Sequence, residues 1–200
     1  MTKTVDFIFD FASPNAYLCH KVLPEIEERT GATFNYIPCL LGGIFKATGN
    51  QAPMIAMANI KNKPDYEHLE MKRFIEKHQL NDFKMNPHFP VNTLILARAA
   101  IAAEMDGVLP QYIAAGVSLM WEQGLKMDDP EVFVKAMTDA GLDGARLLER
   151  TQDPDVKEQL IANTKSAVER GSFGIPTFYV GDEMFYGKDR LDQVEEAIAS

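Results

Sequence analysis

Strand-like sequence is confined to the two ends of this chain, and this order restricts its fold more than any other feature. Near the amino end, residues 5–11 alternate apolar and acidic side chains, and Thr33–Pro38 is rich in β-formers. Near the carboxyl end, Thr177–Val180 and residues 184–186 flank a Gly-Asp-Glu turn, which predicts an antiparallel hairpin. A sheet must therefore form from segments that are far apart in sequence.

The first two strands are joined by a predicted helix. Ser13 followed by Pro14 is typical of a helix start, because a hydroxyl accepts from an unpaired N–H and proline needs no donor there. Gly31 predicts the helix end, and Pro24 inside is expected to kink the helix or to start a second one. A strand, a helix and a strand with short connections predict a parallel pair.

Residues 40–170 have the apolar spacing of helices and contain many residues that typically start or end a helix. Glycines at 42, 43 and 49 predict a loop before a short helix at 54–59, and longer helices are predicted at 66–79, 92–105 and 109–123. Asp-Pro pairs at 129–130 and 153–154 start two more, and a last helix closes the chain after the hairpin. The order βαβ, helices, ββα predicts an α/β class: a thioredoxin-like fold (1–43 and 155–200) with an inserted all-helical domain (44–154).

The turn between the first strand and the first helix is the expected place for chemistry, because the N–H groups of a helix start stabilise an anion. Redox members of this fold carry Cys-x-x-Cys there, whereas this chain has Ser13-Pro14-Asn15-Ala16. Since dithiol exchange needs two thiols, a simple disulfide oxidoreductase is excluded, and Cys19 and Cys39 are expected to be buried thiols. Ser13 keeps two interpretations, a helix cap and a reactive residue.

A second loop is expected to face this turn. In thioredoxin-like folds the proline before the third strand is cis, an isomer found in only about 5–6% of X–Pro bonds. Here that proline is Pro176. The N–H and C=O of Ile175 are then expected to be free to pair with an extended peptide.

Several motifs carry a family resemblance. They are residues 10–17 (DFASPNAY), Gly49-Asn50 with Pro53, residues 89–93 (FPVNT), residues 174–178 (GIPTF) and residues 187–191 (GKDRL). Spread over the whole chain in this order, they resemble the 2-hydroxychromene-2-carboxylate isomerase family, whose sister group is the kappa-class glutathione transferases.

The resemblance implies glutathione as cofactor. It implies that the Ser13 hydroxyl donates to the glutathione sulfur, that the peptide pairs with Ile175 beside Pro176, and that the γ-glutamyl end meets Lys188 and Asp189. The other residues that the resemblance places at glutathione are Asn15, Asn50 and Lys63, with Lys61 as the alternative to Lys63.

The resemblance also implies a small aromatic carboxylate as substrate, isomerised from a ring form to a trans benzylidenepyruvate. Such a molecule requires an apolar slot with a cation for the carboxylate. Candidate walls are Phe45, Met54 and Phe89, and candidate cations are Lys46 and Arg98. Two alternatives stay open: a kappa-type transferase that consumes glutathione, and a peptide-binding module without activity.

Charge and hydropathy restrict the partners and the location. The formal net charge is −9 and no basic run occurs, so nucleic acid and anionic membranes are not expected as partners. No metal-binding motif such as HExxH occurs, and no apolar run approaches the roughly 18 residues of a membrane span. The amino end does not resemble a signal peptide, which predicts a cytoplasmic protein. A homodimer is expected from the resemblance only.

Overall fold

A computed structural model describes residues 3–200, and its four strands form one mixed sheet. The strands are β1 (Thr4–Phe9), β2 (Thr33–Pro38), β3 (Thr177–Val180) and β4 (Glu183–Tyr186), in the order β2-β1-β3-β4. β1 runs parallel to β2, with Phe7 opposite Tyr36, and antiparallel to β3. β3 and β4 form the antiparallel hairpin. The predicted parallel pair and hairpin are confirmed.

The helix between β1 and β2 confirms its predicted limits. α1 spans Pro14–Thr30, with Ser13 as its N-cap. Gly31 ends it with a φ of 69°, a conformation that glycine adopts without steric cost. The helix continues through Pro24, so the predicted alternative of a second helix start there is wrong. This helix and its cap fix the direction in which the turn after β1 opens.

Helices fill the long segment between β2 and β3, as predicted. They are α2 (Leu41–Thr48), α3 (Pro53–Ala56), α4 (Lys63–Lys77), α5 (Leu94–Met105), α6 (Leu109–Trp121), α7 (Pro130–Asp139), α8 (Gly144–Arg150) and α9 (Pro154–Glu169). A 3₁₀ turn at Lys188–Arg190 precedes the closing helix α10 (Leu191–Ala199). Of the predicted domain boundaries, 43/44 falls inside α2 and 154/155 follows the first residue of α9; the division itself stays a prediction.

The loop predicted at residues 42 and 43 is wrong, because α2 occupies these positions. The glycines at 42 and 43 predicted a loop, but both lie in a helix that packs on α9. A Cβ on Gly43 would lie 3.1 Å from Cγ2 of Thr164, so glycine permits this close approach. The helix α8 was missed for a similar reason, since a Cβ on Gly144 would lie 2.4 Å from the carbonyl oxygen of Val134. The helix predicted at 54–59 is shorter and begins one residue earlier.

One hydrophobic core joins the sheet to the helices. Phe7 stacks on Phe178 with ring centroids 4.6 Å apart, and Phe11 packs edge-on against Tyr112 of α6. Cys19 and Cys39 are buried free thiols, which confirms that prediction. Within residues 3–200, no helix has the length and hydropathy needed to cross a bilayer. The core thus packs the turn after β1 against the helical segment through Phe11 and Tyr112.

Candidate active site

Ser13 is at once the cap of α1 and part of a contact with the opposite loop. Its Oγ accepts from the N–H of Ala16 at 3.2 Å and donates to the carbonyl oxygen of Ile175 at 3.1 Å. The residue is 5% exposed. The two interpretations that the sequence left open are therefore compatible, because the hydroxyl uses a lone pair for the cap and its proton for the opposite loop.

The loop before β3 has the predicted backbone. The peptide bond between Ile175 and Pro176 is cis. The Ile175 N–H donates to no residue from 3 to 200, as expected, but the Ile175 C=O is not free, because it accepts the Ser13 hydroxyl. The expectation of a free carbonyl is wrong in this respect, since a hydroxyl is a much better donor than the thiol that redox members of this fold carry here.

A cavity of about 270 Å³ opens between this turn and the helical segment. The sheet side of its wall contains Ser13, Asn15, Ile175, Lys188 and Asp189, so five of the eight predicted glutathione contacts lie on one surface. Tyr186 completes this side. A Cβ on the neighbouring Gly174 would lie 2.8 Å from Cε2 of Tyr186, so a larger residue there would displace the Tyr186 ring.

Two polar groups on this wall are suited to a ligand. Oδ1 of Asn15 is buried and has no hydrogen-bond partner among residues 3–200. Lys188 is 6% exposed, and its Nζ lies 2.6 Å from Oδ1 of Asp189 and 5.5 Å from the ring centroid of Phe74. An unpaired amide oxygen, an unpaired N–H at Ile175 and a buried cation fit a peptide-like ligand that carries a carboxylate.

The other three predicted contacts do not line the cavity. Pro176 shapes the loop, and Nδ2 of Asn50 donates to the carbonyl oxygen of Phe173 at 2.8 Å, which ties the loop after α2 to the segment before Ile175. Nζ of Lys63 lies 2.5 Å from Oε1 of Glu67, and it is Glu67 that reaches the wall. The alternative, Lys61, is exposed and also lies outside the lining.

The helical side of the cavity is mostly apolar, and its polar members are Glu67 and His68 of α4. The three predicted walls, Phe45, Met54 and Phe89, all line it. Three further methionines line the cavity and were not predicted: Met57, Met71 and Met85. Their spacing in the sequence does not distinguish a residue of the core from one of a cavity wall. The candidate cations Lys46 and Arg98 are absent from the lining, so the structure does not place them at a substrate carboxylate.

Asp10 belongs to the motif at residues 10–17, and the structure gives this side chain a role that the motif alone does not indicate. It is 1% exposed and accepts from the N–H of Ala12 at 3.1 Å and from the N–H of Leu41 at 2.7 Å. Burial raises the pKa of Asp10 to about 6, although these hydrogen bonds lower it. The signal in the sequence was an acidic residue that directly follows three apolar residues, 7–9, at the end of β1 and precedes the apolar Phe11.

Comparisons with known proteins agree with this architecture. A 2-hydroxychromene-2-carboxylate isomerase from Sphingobium xenophagum is 29% identical over 98% of this chain and 97% of its own length. Human glutathione S-transferase kappa 1 is 25% identical over 96% of this chain and 89% of its own. The solved structure of a 2-hydroxychromene-2-carboxylate isomerase superposes with a TM-score of 0.82 at 26% identity, over 98% of this chain and 94% of the other.

The resemblance to 2-hydroxychromene-2-carboxylate isomerases and the thioredoxin-like fold are thereby confirmed. The family model described as a DSBA-like thioredoxin domain matches residues 4–199, which is nearly the whole chain. The chain belongs to the DSBA-like thioredoxin family.

Proposed function

We propose that this protein is a glutathione-dependent isomerase of the 2-hydroxychromene-2-carboxylate isomerase type, with Ser13 as the residue that stabilises the glutathione thiolate. The observation that carries the proposal is the position of the Ser13 hydroxyl, at the start of α1, on the cavity wall and opposite the Ile175–Pro176 loop. The relatives named as isomerases and as glutathione S-transferases support it.

The physical chemistry favours an anion at Ser13. A hydrogen bond from a hydroxyl to a charged acceptor contributes about 1.5–3 kcal/mol. The positive end of the helix dipole contributes about 0.3–1 kcal/mol. At about 1.36 kcal/mol for each pKa unit, these effects lower the pKa of a bound thiol by about one to three units. A thiol with an ordinary pKa near 8.5 is then largely ionised at neutral pH.

Each residue of the site would have a separate role in binding glutathione and the substrate. Ser13 transfers its hydrogen bond from the Ile175 carbonyl to the sulfur, while the helix N–H groups favour the negative charge. The free N–H of Ile175 and Oδ1 of Asn15 hold the peptide part, and Lys188 attracts a carboxylate. The thiolate, when bound, supplies a nucleophile that adds reversibly to an unsaturated carbon and allows the bond to rotate. Phe45, Phe89 and the methionines exclude water from the aromatic part.

A kappa-type transferase is the second candidate, and the cation-poor helical wall favours it. Such a wall accepts an uncharged electrophile as readily as an aromatic carboxylate. The two activities differ in stoichiometry: an isomerase returns glutathione, whereas a transferase consumes one glutathione for each product. A peptide-binding module without activity predicts affinity for extended peptides and none for glutathione.

Calorimetry with reduced glutathione tests the proposal directly. We expect one site for each chain and saturation at millimolar glutathione. Lys188→Met should weaken this binding, whereas Lys165→Met, which removes an exposed lysine of α9, should not. If the wild-type protein does not bind at millimolar concentration, both enzymatic functions are excluded.

A further inference from the structure

The Asp10 carboxylate lies where three segments of the cavity wall meet. Its Oδ1 accepts from the N–H of Ala12 and its Oδ2 from the N–H of Leu41. The hydroxyl of Thr93 and the N–H of Phe11 also face this carboxylate, and both lower the pKa of Asp10. None of the salt bridges among residues 3–200 involves it, so this anion is held by neutral donors alone.

Each of these partners belongs to a segment that shapes the cavity. Ala12 precedes Ser13, whose N–H donates to the main-chain carbonyl of Asp10 at 3.3 Å. Leu41 is the first residue of α2 and lines the cavity itself. Thr93 is the N-cap of α5, four residues after the wall residue Phe89. One carboxylate therefore contacts the Ser13 turn and α2 and faces the 89–93 segment.

Asp10 also supplies what α2 lacks in its own sequence. The N-cap of α2 is Leu40, whose side chain cannot accept a hydrogen bond. The carboxylate of Asp10 accepts from the Leu41 N–H instead and places a negative charge at the positive end of this helix. An ionised carboxylate accepts at both oxygens, whereas a protonated carboxyl presents an O–H on one of them, which opposes an N–H donor. Protonation therefore weakens the hydrogen bonds from Ala12 and Leu41, because the acceptor is no longer charged.

We propose that Asp10 is the positioning residue of the site: as a carboxylate it fixes the Ser13 turn against α2 and α5, and its protonation loosens this arrangement. The effect on turnover rests on the proposed function, but the structural linkage does not. Because burial raises the pKa of Asp10 to about 6, the transition lies just below neutral pH.

Few titratable groups face this carboxylate. Cys39, between β2 and α2, interacts with it, and burial raises the pKa of the Cys39 thiol to about 12, so this group stays neutral. The partners from α5 and from the Ser13 turn, Thr93 and Ala12, do not titrate. The transition below neutral pH is therefore assigned to Asp10 itself.

The only tryptophan of the chain reports on the turn. Nε1 of Trp121, in α6, donates to the carbonyl oxygen of Phe11 at 3.0 Å, and Phe11 follows Asp10 directly. A change in the turn therefore alters the environment of the indole N–H. Its ¹H–¹⁵N signal can be followed in the full protein without glutathione, so the linkage is measured separately from the proposed function.

The experiment is a pH titration of the Trp121 indole signal in ¹H–¹⁵N spectra. We expect a transition with a midpoint near pH 6 in the wild-type protein and none in Asp10→Asn. His88→Gln is the matched control, because His88 adjoins Phe89, whose ring packs on Trp121 with centroids 5.9 Å apart. The control should keep the transition. A wild-type signal that does not change with pH, or one that changes equally in Asp10→Asn, would overturn the proposal.

A second variant keeps the test decisive if Asp10→Asn does not fold. Thr93→Val preserves the shape of the buried side chain and removes the hydroxyl whose interaction with the carboxylate lowers the pKa of Asp10. Losing a donor to the charged form should increase the proton affinity of Asp10, and we expect it to rise by about tenfold, which is one pH unit in the midpoint. An unchanged midpoint would contradict the proposal. Absence of glutathione binding with a normal indole titration would remove the proposed function and leave the positioning role intact.

Discussion

The Ser13 hydroxyl donates to the carbonyl oxygen of Ile175 across 3.1 Å, and this bond connects the start of α1 to the loop before β3. A hydroxyl has one proton, so Ser13 cannot donate to Ile175 and to a thiolate at the same time. Since the carbonyl bond is between neutral groups and the thiolate bond involves a charge, the latter is the stronger of the two. We therefore expect an anion bound at Ser13 to displace the hydrogen bond to Ile175.

Ser13→Ala should raise the pKa of bound glutathione by about one to two units, because it removes a charge-assisted hydrogen bond worth about 1.5–3 kcal/mol. The measurement is the ultraviolet absorbance of the thiolate as a function of pH in the presence of excess protein. Turnover at neutral pH should fall with the thiolate fraction.

Ser13→Thr is the control for this substitution, because it keeps a hydroxyl at the same position. Its thiolate titration should resemble that of the wild-type protein. If Ser13→Ala titrates like the wild type, Ser13 is a helix cap only.

The capping role of Ser13 predicts a separate loss of stability. Removing an N-cap side chain costs about 0.5–2 kcal/mol of unfolding free energy, and Ser13→Ala should fall in this range in urea unfolding. Asp129 caps α7 by accepting from the N–H of Glu131 and lies outside the cavity lining, so Asp129→Ala should show a similar loss. Only Ser13→Ala should also change the thiolate titration. A loss of activity in Asp129→Ala would show that stability alone explains both results.

Gly174→Ala should weaken glutathione binding through Tyr186. A Cβ at position 174 would lie 2.8 Å from the Tyr186 ring, which is 36% exposed and therefore able to move. We expect a severalfold weaker affinity with a loss of stability below about 1.5 kcal/mol. In a Tyr186→Ala background the same change should have little further effect. Additive losses in calorimetry would mean that Gly174 acts on the loop and not through Tyr186.

The sequence was sufficient for the elements that local rules determine. The limits of α1 follow from Ser13, Pro14 and Gly31, and the hairpin follows from its turn residues. It was insufficient where a tertiary contact replaces a local signal. The start of α2 depends on Asp10, which is 31 residues away, and glycine at position 43 serves packing and not a turn. For the same reason Met71 and Lys63 could not be sorted by spacing into cavity wall and exposed surface.

Lys188→Met tests the expected contact with a carboxylate. Lys188 is buried at the cavity, and its Asp189 partner is largely exposed, so the substitution leaves no buried charge unpaired. Loss of a bond between two charged groups should weaken glutathione binding by at least about tenfold, which is 1.4 kcal/mol. The weakening should shrink for a glutathione analogue that lacks the γ-glutamyl carboxylate. Equal weakening for both ligands would place Lys188 elsewhere along the tripeptide.

Asp10 predicts an unusual dependence of stability on pH. Its pKa is about 6 in the folded protein and has an ordinary value of 3.8, so the folded state binds the proton more tightly than the unfolded state. Between about pH 4 and 6, the contribution of Asp10 to the free energy of unfolding therefore falls as pH rises, by about 3 kcal/mol in total. The side chain of Asp10→Asn does not titrate in this pH range. Any hydrogen bonds that the substitution removes are lost equally at every pH, so they do not affect how the stability difference between the variant and the wild type changes with pH. The stability of this variant relative to the wild type should thus increase from pH 4 to pH 7.5 in denaturant unfolding.

Asp106 provides the comparison of opposite sign. Arg146 and Arg150 lower the pKa of Asp106, so its stabilising contribution is present above its ordinary pKa and is lost as pH falls. The stability of Asp106→Asn relative to the wild type should therefore decrease as pH rises over the acid range, because the wild type regains this ion pair and the variant does not. If the relative stabilities of the two variants change with pH in opposite directions, the two carboxylates have different roles. The Asp10 carboxylate then lowers stability and is retained for the site, whereas the Asp106 carboxylate stabilises the fold. Parallel slopes would contradict the burial-driven pKa on which the positioning role of Asp10 near neutral pH depends.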